Sequence, residues 1–306
     1  MIDFLVSIGN IFIDDIVTWT DEVHLGVIGG AGLHALAGCG VWNKHLGIIA
    51  SAGEDFRPYL DELHELGIDT EGILCDQEKT NRAWQVFQPG DVRVEIMRDP
   101  NIKIKQVIPK FEMLDRKYQD ADGYHLIWNG SERNLFSLLE DIRKHNPTAS
   151  IVYEPSPEDC IKKANFFKRL FLYIDGFSPS GSEGKNILKI NQPENIIKEF
   201  IGMGCKLIAL RLGSDGSMAG SSSGRIFKVP VAKTHVVDVT GAGNAYVGGL
   251  LSGLSRYKPV EESLAMASVS ASFEIEQYGL CRFTDEMQPV RDTRFSSVLK
   301  NITAIK

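Results

Sequence analysis

The chain has 306 residues, of which 43% are hydrophobic and 24% charged, and its formal net charge is −7. A chain of this length can bury the core of one large α/β domain, so we expect residues 1–306 to form a single domain. The acidic balance argues against a broad nucleic-acid or membrane surface. The sequence also contains no run of 18 apolar residues that would predict a membrane-spanning helix.

The cysteines and the first residues favour the cytoplasm. Five scattered cysteines without a Cys-x-x-Cys spacing indicate reduced thiols and argue against disulfides or a zinc site. The first residues lack the basic region of a signal peptide.

Short apolar runs alternate with segments of helical periodicity along most of the chain. Continuous apolar runs are typical of strands covered on both faces, so this alternation predicts a mostly parallel sheet with helices on both sides. The predicted strands are 4–8, 46–50, 123–128, 150–153, 171–174 and 205–210. The predicted helices are 30–39, 56–66, 134–145, 193–203, 243–254 and 260–276.

Two regions, 11–26 and 73–98, instead alternate apolar and polar residues, as half-buried strands do. Within the second region, residues 84–88 and 92–96 flank Pro89-Gly90-Asp91, which predicts a hairpin.

The segment from Asp238 to Asn244 predicts a glycine loop that leads from a strand ending at 235–237 into a helix. Gly241, Ala242 and Gly243 leave the backbone N–H groups unshielded. Together with the positive end of the following helix, these groups form a seat for an anion such as a phosphate.

This loop resembles the second signature of the PfkB (ribokinase-like) carbohydrate kinases, which ends in Gly-Ala-Gly-Asp. In that family the final Asp takes the proton from the substrate hydroxyl while ATP delivers its γ-phosphoryl group. Here Asn244 replaces the Asp. An amide has no useful basicity near neutral pH, so Asn244 can hold a hydroxyl by hydrogen bonding but cannot act as a general base.

The resemblance extends to residues that contact the substrate in the family. Asp14 matches an Asp that bonds sugar hydroxyls, whereas Phe12 replaces a sugar-contacting Asn, which argues against ribose as substrate. Gly30 belongs to a stretch similar to the first signature, in which His34 replaces an Asn. His34 could orient a hydroxyl or serve as an alternative proton acceptor.

Further resemblances imply nucleotide-binding residues. Glu183 matches a Glu that organises Mg²⁺ and phosphate through water, and Ser180 replaces the Asn before it; Ser180 and Glu183 also fit a helix capping box. Arg211 replaces a Thr, and could pair with a phosphate or point to solvent. The same turn continues to Gly213 and Gly216, and Glu154 lies where ribokinases carry an Asn after a central strand.

The family resemblance implies a three-layer α/β/α ribokinase-like core with a small β lid formed by about 11–26 and 73–98. The lid covers the sugar site and serves as a homodimer surface in some members. The implied cofactors are ATP and Mg²⁺, with a monovalent cation near Asp238 and Thr240. A finer resemblance connects 270–280 with a fungal subgroup linked to maintenance of killer double-stranded RNA virus.

The function that these resemblances imply is ATP-dependent phosphoryl transfer to a hydroxyl of a small sugar, polyol or nucleoside-like substrate. A catalytically impaired pseudokinase that binds a ligand or a partner is the alternative, because losing a general base typically costs ~10²–10⁴ in rate. A third reading is that Asn244 was engineered to trap a substrate complex. The further changes at Phe12, His34 and Ser180 argue against it, since one designed substitution would not bring three more.

Overall fold

The computed structural model describes residues 3–20, 22–88, 92–99, 108 and 110–305. Its strands are β1 (Leu5–Ile8), β2 (Phe12–Val17), β3 (Val23–Gly29), β4 (Leu46–Gly53), β5 (Ile68–Asp69), β6 (Ile73–Gln77), β7 (Asn81–Gln88), β8 (Val92–Met97), β9 (Gly123–Ile127), β10 (Ser150–Glu154), β11 (Gly176–Phe177), β12 (Leu207–Arg211), β13 (Ser217–Ser221), β14 (Ile226–Val229) and β15 (Thr303–Ile305). Its α-helices are α1 (Ala31–Gly40), α2 (Leu60–Glu65), α3 (Arg116–Gln119), α4 (Glu132–His145), α5 (Ala164–Leu170), α6 (Gly181–Leu188), α7 (Pro193–Gly202), α8 (Ala242–Leu254), α9 (Val260–Glu274) and α10 (Gln288–Asn301).

A large mixed sheet forms the middle of the molecule. In the described part of the chain its strand order is β15-β14-β13-β12-β11-β10-β9-β1-β4-β5, with β6 also paired to β4. The strands from β12 to β6 run parallel, whereas β13, β14 and β15 pair antiparallel at one edge. Parallel strands end at the same edge of a sheet, so loops after β1, β9, β10 and β12 lie close together.

Two hydrophobic cores cover the two faces of this sheet. Along β12, Leu207 and Ala209 belong to one core, whereas Ile208 and Leu210 belong to the other, as the period of a strand requires. The first core contains apolar residues of α1, α8, α9 and α10, and the second contains those of α4, α5 and α7. The predicted three-layer α/β/α architecture is therefore confirmed.

Glycines bring α1 and α8 into close contact. A Cβ atom at Gly248 would lie 1.9 Å from the carbonyl oxygen of Ala35, and one at Gly38 would lie 2.2 Å from the carbonyl oxygen of Ala245. The two backbones therefore touch, and this contact places the first turns of both helices beside the same edge of the sheet.

A second, small sheet has the order β3-β2-β7-β8. Its β7 and β8 form the predicted hairpin, in which Gln85 pairs with Glu95; the turn at 89–91 lies outside the described residues. Not all of 73–98 belongs to this sheet, because β6 pairs with β4 in the large sheet.

Three local predictions are wrong. Residues 171–174 form no strand, because Phe171 is the C-cap of α5 and the next strand is β11. Phe171 and Ile174 are nevertheless buried. Residues 235–237 are irregular, and the Val237 N–H donates to the Ile275 carbonyl over 2.7 Å. Pro58 lacks an N–H donor, and the predicted helix 56–66 divides into a 3₁₀-helix at Glu54–Tyr59 and α2.

In the described residues no helix is long and apolar enough to cross a membrane. The five cysteines are all free thiols, and three of them are buried.

Candidate active site

A cavity of ≈ 630 Å³ lies where β1, β9 and β10 end and α1 and α8 begin, with the small sheet as its opposite wall. Such a position, beyond the carboxyl ends of parallel strands, is where α/β proteins usually bind ligands. Its lining residues are Asn10, Phe12, Asp14, Gly30, Ala31, His34, Gln85, Glu95, Ile127, Asn129, Pro157, Glu158, Thr240, Gly241 and Asn244.

The glycine loop forms one side of the cavity. Asp238 fixes it, because its Oδ1 accepts a 2.7 Å hydrogen bond from the N–H of Thr240. Gly241 has a φ of 76°, which favours glycine, and a Cβ there would lie 2.2 Å from Nδ1 of His34. The first intrahelical bond of α8 is made by Ala245, so the preceding N–H groups have no partner within the helix.

The small sheet contributes a wall rich in hydrogen-bond acceptors. Nε2 of Gln85 donates to Oδ1 of Asp14 over 3.2 Å and to Oε2 of Glu95 over 3.2 Å. The amide oxygen Oε1 of Gln85 is buried and has no hydrogen-bond partner among the described residues. A ligand that donates several hydrogen bonds would satisfy this wall.

His34 forms a buried pair with Glu274, 240 residues away. Its Nδ1 lies 2.5 Å from Oε1 of Glu274, whose Oε2 accepts a 3.1 Å hydrogen bond from the N–H of Cys281. Burial lowers the pKa of His34, but the hydrogen bond and charge of Glu274, with the charges of Asp14 and Asp238, outweigh it and raise that pKa. The pair therefore keeps a proton above the usual pH range of histidine.

Asn244 contacts a buried carboxylate. Its Nδ2 donates a 2.9 Å hydrogen bond to Oε2 of Glu154, at the end of β10. Nη1 of Arg211 lies 2.7 Å from Oε1 of the same carboxylate. Burial raises the pKa of Glu154, but the charge of Arg211 and the hydrogen bonds from His125 and Asn244 lower it to about 2. Glu154 is therefore ionised at neutral pH.

A line of polar side chains extends from Glu154 across the strand ends. Nε2 of His125 lies 3.3 Å from Oε2 of Glu154, and Nδ1 of His125 lies 2.9 Å from Oγ of Ser7. An ionised carboxylate only accepts hydrogen bonds, so Nε2 of His125 carries a proton and donates it to Glu154.

The residues predicted for the nucleotide lie beside α8, outside the lining of the cavity. Ser180 caps α6 and forms the predicted capping box with Glu183. Oε2 of Glu183 accepts a 2.7 Å hydrogen bond from the N–H of Ser180. The same oxygen lies 3.4 Å from Nη2 of Arg211. A Cβ at Gly243 would lie 2.2 Å from Nη1 of Arg211, so this guanidinium packs directly against the glycine loop. Gly213 and Gly216 flank the next turn, with φ values of 62° and 83°.

The structure thus places the predicted substrate residues Asp14, Gly30 and His34 around the same cavity as Gly241 and Asn244. Ala242 and Gly243 form the first turn of α8. Gly243 lies against Arg211, one of the residues predicted for the nucleotide. Sequence reasoning gave no role to several polar residues of this site. Two signals were present, because Glu154 ends an apolar strand and Glu274 interrupts an apolar helix. The residues without a predicted role include Gln85, Glu95, His125, Glu154, Glu158 and Glu274.

Comparisons with known proteins agree with this geometry. The model of the pfkB family of carbohydrate kinases matches residues 24–287. An uncharacterised protein of Schizosaccharomyces pombe is 27% identical, with 93% of this chain and 88% of the relative covered. The cytidine kinase of Thermococcus kodakarensis is 25% identical, with 90% of this chain and 97% of that enzyme covered.

The solved structure of a putative ribokinase II from E. coli, in complex with ATP and Mg²⁺, superposes with a TM-score of 0.74. It is 18% identical in sequence, and the superposition covers 97% of this chain and 100% of that one. The ribokinase-like fold is therefore confirmed.

Proposed function

Because the chain belongs to the pfkB family of carbohydrate kinases, we propose that it transfers the γ-phosphoryl group of ATP to a hydroxyl of a small polyol, sugar or nucleoside. The single observation that carries this proposal is that a cavity rich in hydrogen-bond acceptors ends at the first turn of α8, where the N–H groups of Gly243 and Asn244 have no backbone partner in the described structure. A hydroxyl bound in the cavity would face the place where those groups bind an anion.

In this proposal Asp14 and Gln85 accept hydrogen bonds from substrate hydroxyls, and the backbone of Gly30 lets α1 begin against the substrate. The His34–Glu274 pair lies beneath Gly241 and orients the reacting hydroxyl. Asn244 accepts a hydrogen bond from that hydroxyl. Phosphoryl transfer depends mainly on positioning and electrostatics, so turnover without an Asp at 244 is expected to be slow but measurable.

The charge of the cavity selects among substrates. Among the side chains that the structure describes, its lining includes the carboxylates Asp14, Glu95 and Glu158 and no lysine or arginine. A carboxylate or phosphate group on the substrate would be repelled there. We therefore propose a neutral polyhydroxylated substrate, and the cytidine kinase among the relatives makes a nucleoside the first to test.

The nucleotide would bind beside the cavity, across Gly241, Ala242, Gly243 and the turn from Gly213 to Gly216. Arg211 packs against Gly243 behind the phosphate seat, and its guanidinium is held there by Glu154 and Glu183. In the described residues no group of three His, Cys, Asp or Glu can hold a metal. One carboxylate, Glu183, fits an ion that enters with the nucleotide, because Mg²⁺ is usually held by phosphates, water and one or two carboxylates. When bound, Mg²⁺ neutralises charge on the β- and γ-phosphates.

Asp238 and Thr240 fit a further ligand. Oδ2 of Asp238 and Oγ1 of Thr240 are buried without a hydrogen-bond partner among the described residues. A monovalent cation there stays a prediction, as does a cytoplasmic location.

Nucleotide and substrate binding test the proposed function. With Mg²⁺ present, we expect ATP and ADP to produce heat in calorimetry and to raise the melting temperature. Among acceptors, cytidine, inosine and neutral sugars should support ADP release in a coupled assay, whereas sugar acids and sugar phosphates should not, because the cavity is acidic. The matched pair sorbitol and gluconate isolates the effect of the added charge, because the two differ only in a terminal hydroxymethyl or carboxylate group.

Absence of nucleotide binding in folded protein would overturn the proposed function. Tight nucleotide binding without turnover of any acceptor would instead identify a binding protein that has lost catalysis. Preference for the charged member of the pair would show that the described carboxylates do not select the substrate.

We also propose that the outer face of the small sheet forms a homodimer. The strand pairing places Val23 and Leu25 of β3 on the same face as Val94 and Ile96 of β8, opposite the face that carries Gln85. All four apolar side chains are exposed. Exposed apolar patches of this kind usually bind a partner.

Light scattering after gel filtration should give the mass of a dimer, and Ile96→Lys should give a monomer. Leu172→Lys is the matched control, because Leu172 is 75% exposed outside the small sheet. A wild-type monomer, or dissociation by the control alone, would contradict the proposed interface.

A further inference from the structure

We propose that Glu154 is a positioning residue, which holds the side-chain amide of Asn244 so that its oxygen faces the cavity and accepts the hydrogen bond of the reacting hydroxyl. This inference rests on the proposed function, because it assigns the hydroxyl to the cavity. Glu154 itself does not line the cavity in the described structure, whereas Asn244 does.

The hydrogen-bond chemistry of Glu154 determines the orientation of Asn244. The carboxylate is ionised and buried, so it presents acceptors only. Asn244 must therefore direct its NH₂ group to Oε2 of Glu154, at 2.9 Å, and its Oδ1 away from it. An unpositioned amide could present either end to the cavity, and only the oxygen can accept from a hydroxyl.

Glu154 is itself held in place from two other sides. Arg211 approaches its Oε1 at 2.7 Å, and His125 approaches its Oε2 at 3.3 Å. These contacts come from β12 and β9, the strands on either side of β10 and β11. The carboxylate therefore cannot rotate without leaving two buried donors unpaired, and Asn244 follows its position.

The same contact predicts what a carboxylate at 244 would do. In Asn244→Asp, two carboxylates would approach each other at the Glu154–Asn244 distance and share one proton. The new carboxylate at 244 would then share this proton with Glu154 and could not accept the proton of the substrate hydroxyl. In Glu154→Gln/Asn244→Asp the pair again has one carboxylate and one amide, with their positions exchanged. The new amide at position 154 can then donate to the new carboxylate at position 244, which keeps its second oxygen for the hydroxyl.

The test measures kcat and KM for wild type, Asn244→Asp, Glu154→Gln and the double variant. Glu154→Gln should lower kcat about tenfold with a smaller change in KM, because the amide of Asn244 can turn its NH₂ group to the hydroxyl. Asn244→Asp should not exceed wild type. The double variant should exceed Asn244→Asp by about 10²-fold or more, because its carboxylate can act as a general base.

Thermal unfolding between pH 5 and pH 8 gives a readout without turnover. The shared proton raises the folded-state pKa of the carboxylate pair above its unfolded value. The penalty is absent below the unfolded pKa and grows as pH rises through the folded pKa, so Asn244→Asp should lose melting temperature relative to wild type toward pH 8. The double variant should not. Asn195→Asp, an exposed change on α7, should match wild type in kcat and pH profile.

Equal gains in kcat for Asn244→Asp and the double variant would overturn the inference, as would wild-type kcat and KM in Glu154→Gln. If Glu154→Gln does not fold, Glu154→Asp replaces it, because it keeps the charge beside Arg211 but withdraws it from Asn244; wild-type kinetics there would also overturn the inference. Absence of turnover in every protein, wild type included, would overturn the proposed function and this inference together. Turnover in wild type without coupling between 154 and 244 would overturn this inference alone.

Discussion

Replacement of Arg211 by methionine is expected to lower the free energy of unfolding at pH 7 by about 3–5 kcal/mol, because it leaves the buried carboxylate of Glu154 without its cation. Methionine keeps most of the apolar stem, so the main loss is the charge. The lowered pKa of Glu154 corresponds to a free energy of similar size. A value of about 2, against 4.5 in an unfolded chain, corresponds to about 3 kcal/mol.

The loss should depend on pH. The folded-state pKa of Glu154 lies below its unfolded value, so the stabilisation is present above pH 4.5 and is lost as pH falls toward 2. Urea unfolding of wild type and Arg211→Met should therefore differ most near pH 7 and progressively less below pH 4.5. The double variant Glu154→Gln/Arg211→Met should recover part of the loss, because no unpaired charge remains.

Arg116→Met is the matched control for the Arg211 change. Arg116 pairs with Asp120 on the surface at 2.9 Å, where its side chain is 77% exposed. Such pairs contribute about 0–1 kcal/mol. A loss for Arg211→Met as small as that of the control, or one that does not change with pH, would show that the Glu154 pair is not a stabilising element.

Replacement of Gly248 by valine is expected to cost about 3 kcal/mol or more, or to prevent folding. A Cβ at 248 would lie 1.9 Å from the carbonyl oxygen of Ala35, and the nearest atoms are backbone. Backbone cannot rotate away as a side chain can, so α1 and α8 would have to separate. Their separation would also move His34 and the glycine loop, and binding of nucleotide and substrate should weaken with stability.

Gly202→Ala is the control, because Gly202 ends α7 and a Cβ there would meet no atom within 4 Å. Thermal unfolding should show little change or a small gain for this variant, since alanine restricts the unfolded chain. If Gly248→Val melts like wild type, the close approach of α1 and α8 does not stabilise the fold.

The sequence by itself was enough to predict the architecture and the outline of the site. Apolar runs and helical periodicity are local properties, and they predicted most of the parallel strands, most helices and the hairpin of the small sheet. Local geometry also determines the glycine loop, because Gly241 must adopt a positive φ before α8 can begin. Asp14 of the small sheet meets His34 and Asn244 around one cavity because α1 and α8 begin at the edge of the large sheet that the small sheet faces.

Only the tertiary structure decided how the unusual residues are paired. His34 meets Glu274 across 240 positions, and Asn244 meets Glu154 across 90. Neither partner follows from spacing or periodicity, because the pairs join helices and strands that meet only when the layers pack. Burial then decides the chemistry. Away from water, a carboxylate remains charged only where a donor or a cation is held against it, and Glu154 has both in Asn244 and Arg211.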